Sequence, residues 1–299
     1  MKIAFVALLS LPVLAQESKV EQVGAPRRFL AADYSKKVLA IFGKDGKVEW
    51  KTKINDSHDA WVLPNGNILY QPSWTRVIEV TPDQKEVWSY DAAKANEGKR
   101  VEVHAFQRLA DGLTMIAESG PARIIEVDKE GAIKKEIRLP IDKPDPHRDT
   151  RNVRKLESGH YLVCHEALQK VREYDGDAKV VWEYDVKSAV YGAVRLKNGD
   201  TLISAGNGHR VFEVDPSGKT VWEVGKNDLP GIELAWMTQV MRLPNGNTVM
   251  VNCHGRPSDP QIIEVSPDKK VVWSYRDFET LGKATPVVEI LDDPAHTIR

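Results

Sequence analysis

One phrase returns along this chain. It reads Leu-Pro-Asn-Gly-Asn, then a short apolar run, then Arg-Val-Ile-Glu-Val, then Lys-x-Val-Trp followed by Glu or Ser and an aromatic or apolar residue. Clear copies occupy residues 63–90, 196–224 and 243–275, and weaker ones occupy 109–137 and 156–184. A unit this short cannot bury an apolar face alone, so copies must pack against one another to make a core. The repeat also separates architecture from chemistry. Residues present in every copy build the unit, and polar residues that change from copy to copy at one position are candidates for function.

Each copy holds four short apolar, partly alternating runs. In the second unit they are 60–63, 68–71, 77–80 and 86–90, broken by Pro64-Asn65-Gly66-Asn67, Ser73-Trp74-Thr75 and Pro82-Asp83. Asn-Gly between two apolar runs is the strongest short-range signal for a β-hairpin. Four antiparallel strands every ~40–47 residues is the blade spacing of a β-propeller. Gly66, Gly112, Gly159, Gly199 and Gly246 mark five full blades. Residues 28–50 supply only the last three strands of a further blade, and 285–291 read as a lone first strand. The expectation is therefore an all-β, six-bladed propeller of four-stranded antiparallel blades, with the two chain ends paired in one blade so that no strand edge is left open there.

Recurring residues read as structural. Trp50, Trp88, Trp182, Trp222 and Trp273 hold one place in the last strand, where Lys135 stands in the third blade. A large ring at each joint buries much apolar area, so these positions predict packing between blades. The third strands begin with Lys37, Arg76, Arg123, Lys170, Arg210 and Gln261, and Glu79, Glu126, Glu173, Glu213 and Glu264 follow. These predict repeated ion-pair ties between blades.

The 299 residues are ample for one large β domain, and Lys+Arg 42 against Asp+Glu 43 leaves no basic excess for nucleic acid. Residues 1–15 read as a signal peptide: Lys2, an apolar run over 3–14, and small or apolar residues ahead of a cut before Gln16. Residues 16–26 read as a linker and 27–299 as the propeller. An exported, periplasmic or secreted monomer is expected, with no apolar run left to span a membrane. Cys164 and Cys253 fall in non-adjacent repeats, and the spacing leaves open whether they pair.

Gly218-Lys219-Thr220-Val221-Trp222 after Glu213-Val214-Asp215-Pro216, and Lys269-Lys270-Val271-Val272-Trp273 after Glu264-Val265-Ser266-Pro267, resemble the tryptophan-docking repeat of the PQQ-binding-like β-propeller superfamily. The blade number and export signal are most similar to its arylsulfotransferase-like propellers and to exported propellers of bacteria without assigned function. The resemblance covers nearly all of the mature chain. It implies the fold more specifically than an activity. Quinoprotein dehydrogenases of the superfamily carry adjacent cysteines beside the quinone, whereas Cys164 and Cys253 stand far apart, which argues against PQQ. Arylsulfotransferases use a catalytic His in the central pocket, and no single His of this chain matches it by sequence.

First-strand starts, second-strand ends and third-strand starts surround one mouth of a propeller's channel. Counting back five residues from the Leu that closes each first strand gives His58, His104, Arg151, Tyr191, Thr238 and Pro286. Here the repeat stops repeating. Imidazoles, a guanidinium and a phenol at one mouth can bind an anion, ligate a metal or move protons. Asp59, Glu118, His147, His165, Trp236 and His254 are the neighbouring candidates for ligand contact. His58, His104 and Arg151 are the candidates for catalysis. The expected function is binding of a small anionic or polyhydroxylated molecule, carbohydrate included, at the mouth. The alternatives are an arylsulfotransferase-like or other His-dependent enzyme, and a scaffold with an envelope protein partner. The metal and cofactor are left open by the sequence.

Overall fold

The computed structural model describes residues 20–299; the expected signal peptide lies outside the described residues. Six antiparallel sheets form six blades. Blade 2 is Ala60–Val62, Ile68–Ser73, Arg76–Val80 and Glu86–Asp91, and blade 3 is Glu102–Arg108, Thr114–Ser119, Arg123–Val127 and Ile133–Arg138. Blade 4 is Asn152–Lys155, Tyr161–His165, Lys170–Tyr174 and Val180–Asp185. Blade 5 is Gly192–Arg195, Thr201–Ser204, Val211–Val214 and Thr220–Val224. Blade 6 is Trp236–Arg242, Thr248–Cys253, Ile262–Val265 and Val271–Arg276.

Blade 1 is built from both chain ends. Val287–Ile290 pairs with Phe29–Asp33, in the register Phe29↔Ile290 to Ala32↔Val287, and Val38–Phe42 and Val48–Lys53 complete the sheet. Part of the expected linker is itself a strand: Glu21–Gly24 pairs with Val271–Arg276 as a fifth, outer strand of blade 6. Gly24 is required there. Its φ is +86°, and a β-carbon would lie 1.9 Å from the Val272 carbonyl oxygen. One short helix, Ala92–Ala95, follows blade 2.

The hairpin signal takes a specific form. In blade 2 the Leu63 N–H donates to the Asn67 carbonyl and the Gly66 N–H to the Leu63 carbonyl, both at 2.8 Å. Gly66 has φ +83°. This is a three-residue turn ending in a left-handed residue, and the same bonding recurs at Leu109/Leu113, Leu156/His160, Leu196/Asp200 and Leu243/Asn247.

Inner strands are buried on both faces because each blade is covered by a neighbour on either side, whereas the outer strands alternate. The core divides into six apolar clusters, each drawn from two adjacent blades. The recurring Trp residues tie these joints. Trp50 donates its indole N–H to the Pro82 carbonyl at 3.0 Å, Trp182 to that of Pro216 at 3.3 Å and Trp222 to that of Pro267 at 2.9 Å. Where Lys135 replaces Trp, its ammonium lies 5.3 Å from the Tyr161 ring centroid of the next blade.

The recurring Glu residues also bridge blades. Glu79 meets Arg108, Glu173 meets Arg195 and Glu213 meets Arg242, at 2.6–2.7 Å, and Arg27 does the same for Glu264. Arg108, Arg195 and Arg242 end the first strand of the next blade, whereas Arg27 precedes the second strand of blade 1. The third-strand Arg76 and Arg210 instead pair within their own blades, with Glu86 and Glu223. Cys164 and Cys253 are buried free thiols. Among the described residues no helix is long and apolar enough to cross a membrane.

Candidate functional site

The face where first strands begin opens on a cavity of about 320 Å³. Tyr34 comes from the second turn of blade 1, Asp56 and His58 from the entry to blade 2, and Trp74 from the second turn of blade 2. His147 and Arg151 precede blade 4, Tyr191 precedes blade 5, Trp236 and Thr238 start blade 6, Cys253 and His254 end its second strand, and Pro286 enters blade 1. A register shift between Met237 and Val240 breaks the ladder beside Thr238. Bulges of this kind re-aim side chains at the rim of a sheet.

His58 is nearly buried and central. Its Nδ1 lies 2.8 Å from the Tyr191 hydroxyl, and its ring stacks on Trp74 with centroids 4.9 Å apart. Its backbone N–H donates to Gln71 Oε1, which fixes the loop. Its Nε2 has no hydrogen-bond partner in the protein. Burial, and then the positive potential of His104 and Arg151, hold the imidazole pKa well below its ordinary value, so the ring is neutral at pH 7.

Arg151 donates through Nε to Glu166, which also accepts from Arg148 Nε at 3.0 Å. That pairing leaves Arg151 Nη1 buried without a partner, and Thr238 Oγ1 is in the same condition. Three residues of one cavity thus carry a buried polar atom that the protein leaves unbonded. Such groups are rare in folded chains and costly when unmet. Across the cavity, the Tyr34 hydroxyl and His254 Nε2 are 2.6 Å apart, and His254 holds a left-handed φ of 60°. Burial raises the Tyr34 and Tyr191 hydroxyls above their ordinary range, so both are neutral.

Of the residues singled out in the sequence, His58, His147, Arg151, Tyr191, Trp236 and His254 line the cavity. His104 is fully buried behind it, its ring centroid 4.9 Å from that of His58 and 5.6 Å from that of His147. Asp59, Glu118 and His165 do not line it, each for a local reason. Asp59 follows His58 in the segment that leads into the strand Ala60–Val62, and its carboxylate turns away from the mouth to buried partners. It binds Arg154 Nη1 at 2.7 Å, Arg299 Nη2 at 3.1 Å and Gln239 Nε2 at 3.3 Å, in a buried plug below the cavity. Glu118 accepts from Arg123, Tyr90 and Asn96 away from the mouth. His165 uses both nitrogens, on the Asp149 carbonyl at 2.7 Å and the Tyr174 hydroxyl at 2.9 Å.

Tyr34, Asp56, Trp74, Cys253 and Glu102 belong to this region and were not among the candidates. Trp74 was legible: it is a Trp in a second-to-third-strand turn, and such turns open on the mouth. Glu102 had a weaker signal, two residues before His104, although a register shift opposite Ala117 and Glu118 breaks the simple alternation between them. Its carboxylate oxygen lies 3.1 Å from His104 Nε2 and 2.7 Å from His147 Nδ1. Burial would raise the Glu102 pKa, but the bonds to the two imidazoles outweigh it and bring the value down to about 2.

No protein-family model matches the chain, and no curated protein matches it. Solved structures do. A protein of unknown function from Bacteroides caccae is 25% identical, with a TM-score of 0.79 over 89% of this chain and 99% of that one. A streptogramin B lyase gives a TM-score of 0.62 at 10% identity, over 91% of this chain and 98% of that one. A catalytically inactive virginiamycin B lyase from Staphylococcus aureus with quinupristin gives 0.60 at 9% identity, over 94% and 97%. These likenesses show the six-bladed propeller fold.

Proposed function

We propose that this protein is an exported propeller that binds a small anionic or polyhydroxylated molecule at the channel mouth. One observation carries the reading: His58 Nε2, Arg151 Nη1 and Thr238 Oγ1 are buried, lack partners in the protein, and belong to residues lining a single cavity. A ligand that accepts hydrogen bonds would satisfy the guanidinium outright. Tyr34, Trp74, Tyr191 and Trp236 give the same cavity flat apolar walls. A few fixed polar groups set among aromatic surfaces is the usual composition of a small-ligand site, and the volume is at the lower end of the roughly 300–1,000 Å³ range for such sites. An aromatic ring bearing a sulfate or carboxylate meets both demands, in keeping with the arylsulfotransferase-like resemblance of the repeat.

The neutral His58 supports a second reading. An unprotonated, orientated imidazole beside a bound ligand is a general base, so the site would turn its ligand over. A thermal-shift panel of sulfated and carboxylated aromatics and sugar acids tests both. Binding raises the melting temperature of the wild type, and His58→Ala loses the increase; turnover of the same compounds, abolished by His58→Ala, would establish the enzyme. A panel without any shift, or shifts unchanged in His58→Ala, would overturn the placement of the site.

A further inference from the structure

We propose that Glu102, His104 and His147 form a binding site for a divalent transition-metal ion of the zinc type in the wall of the mouth cavity. Each residue offers one ligand atom, a ring nitrogen or a carboxylate oxygen, and these atoms all lie within 4.8 Å of one another. The two separations involving Glu102 are 3.1 and 2.7 Å. Ligands held about 2.0–2.2 Å from one tetrahedral ion sit roughly 3.3 Å apart, so the triad needs only small side-chain shifts to close on a cation. Two imidazoles and one carboxylate suit zinc and its borderline neighbours better than calcium or magnesium, which take oxygen ligands.

The surroundings of His104 point the same way. Its Nδ1 lies 3.1 Å from the Thr150 carbonyl, which can only accept, so Nδ1 must carry the proton. In a neutral ring Nε2 then presents a lone pair toward a carboxylate oxygen at 3.1 Å. Two lone pairs facing each other repel, so either a proton, giving a hydrogen bond, or a metal ion, giving coordination, lies between them. The Nδ1–H···O=C bond is the outer contact that metal-binding imidazoles ordinarily make. Thr150 is itself pinned: its N–H donates to Ser119 Oγ at 3.1 Å, and the two hydroxyls are 2.6 Å apart. His147 is held by its backbone N–H on Asp145 Oδ1 at 2.8 Å.

The triad is graded in exposure. His104 is fully buried, the Glu102 side chain is 13% exposed and that of His147 is 43% exposed. An ion therefore enters from the His147 side, and its remaining coordination position faces the cavity. Asp56 lines that cavity and feels the charges of Glu102 and His147. A metal here would present a Lewis-acidic position, or a bound water, to whatever occupies the mouth. The site goes beyond the ligand reading above and does not depend on it.

The test is a zinc titration of the full chain after chelator stripping, by calorimetry, with cobalt(II) absorption as a second readout and no organic ligand present. Wild type is expected to take up one equivalent and to show the intense visible bands of tetrahedral cobalt. Glu102→Gln, nearly isosteric, and His147→Ala, at an accessible loop position, should each lose at least about 100-fold in affinity, the upper end of what even an outer-contact mutation costs. His160→Ala, which alters the remote pair with Glu173, should bind as wild type does. Absence of uptake by a folded wild type, or equal affinity in Glu102→Gln and His147→Ala, would overturn the site and leave a hydrogen-bonded cluster in its place. Ligand titrations run in excess chelator report separately on the mouth reading, so either can fail alone.

Discussion

Asp59→Ala should unfold the protein more readily without touching the mouth. Asp59 is fully buried and binds Arg154 through both terminal guanidinium nitrogens, at 2.7 and 3.2 Å, with Arg299 at 3.1 Å on the same carboxylate. Arg299 keeps a second carboxylate, Glu289 Oε1 at 2.8 Å. Arg154 would be left with neutral acceptors, among them the Val153 carbonyl, and with the Trp61 ring 4.8 Å below it. Its side chain is only 5% exposed, so the orphaned charge cannot reach water. Removing one member of a buried pair costs about 3–5 kcal/mol. For a chain of this size that corresponds to a melting temperature lower by about 5–9 °C. The assay is thermal unfolding of Asp59→Ala, Arg154→Leu and the double variant. The double variant should be less destabilised than the sum of the singles, because it removes the unpaired charge. A shift below about 2 °C for Asp59→Ala, or strict additivity, would refute the plug as a coupled buried cluster.

Two further outcomes follow from the same packing. Trp273→Ala should destabilise by about 3–5 kcal/mol, since the ring is 1% exposed and lies against Phe29 across the joint of blades 6 and 1; denaturant melts check this. His165 has its pKa lowered to about 4 by burial, from an ordinary 6.5. The folded state therefore binds fewer protons than the unfolded chain below pH 6.5, so stability is full above that value and lost as pH falls toward 4. Melting temperatures between pH 7 and 4 should decline, and less steeply in His165→Gln; a flat profile would contradict it.

Much of the fold was legible because the repeat carries it. Turn glycines, joint Trp residues and the split first blade all follow from periodicity, and each is a local requirement met in nearly every unit. Glu21–Gly24 was not legible, since a four-residue edge strand with one large apolar residue, Val23, looks like polar linker until its partner, Val271–Arg276, is in place. At the site, counting along the repeat brought out His58, Arg151, Tyr191 and Thr238, because equivalent positions on six blades meet at one mouth. The same counting cannot tell an open side chain from a satisfied one. Asp59 and His165 differ from His58 in the partners the fold brings to them: Arg154 of another blade, 95 residues away, for Asp59, and the Asp149 carbonyl, 16 residues away, with the Tyr174 hydroxyl of its own blade, for His165.

The most direct measurement is calorimetric titration of a sulfated or carboxylated aromatic compound into wild type and Arg151→Lys. Lysine keeps a positive charge beside Glu166 but lacks the buried Nη1 donor that has no partner in the protein. Saturable binding to wild type that weakens by about tenfold or more in Arg151→Lys, the loss of one charged hydrogen bond, is the predicted result. Equal affinity in the two proteins would contradict the mouth as the place where the ligand's charge is held.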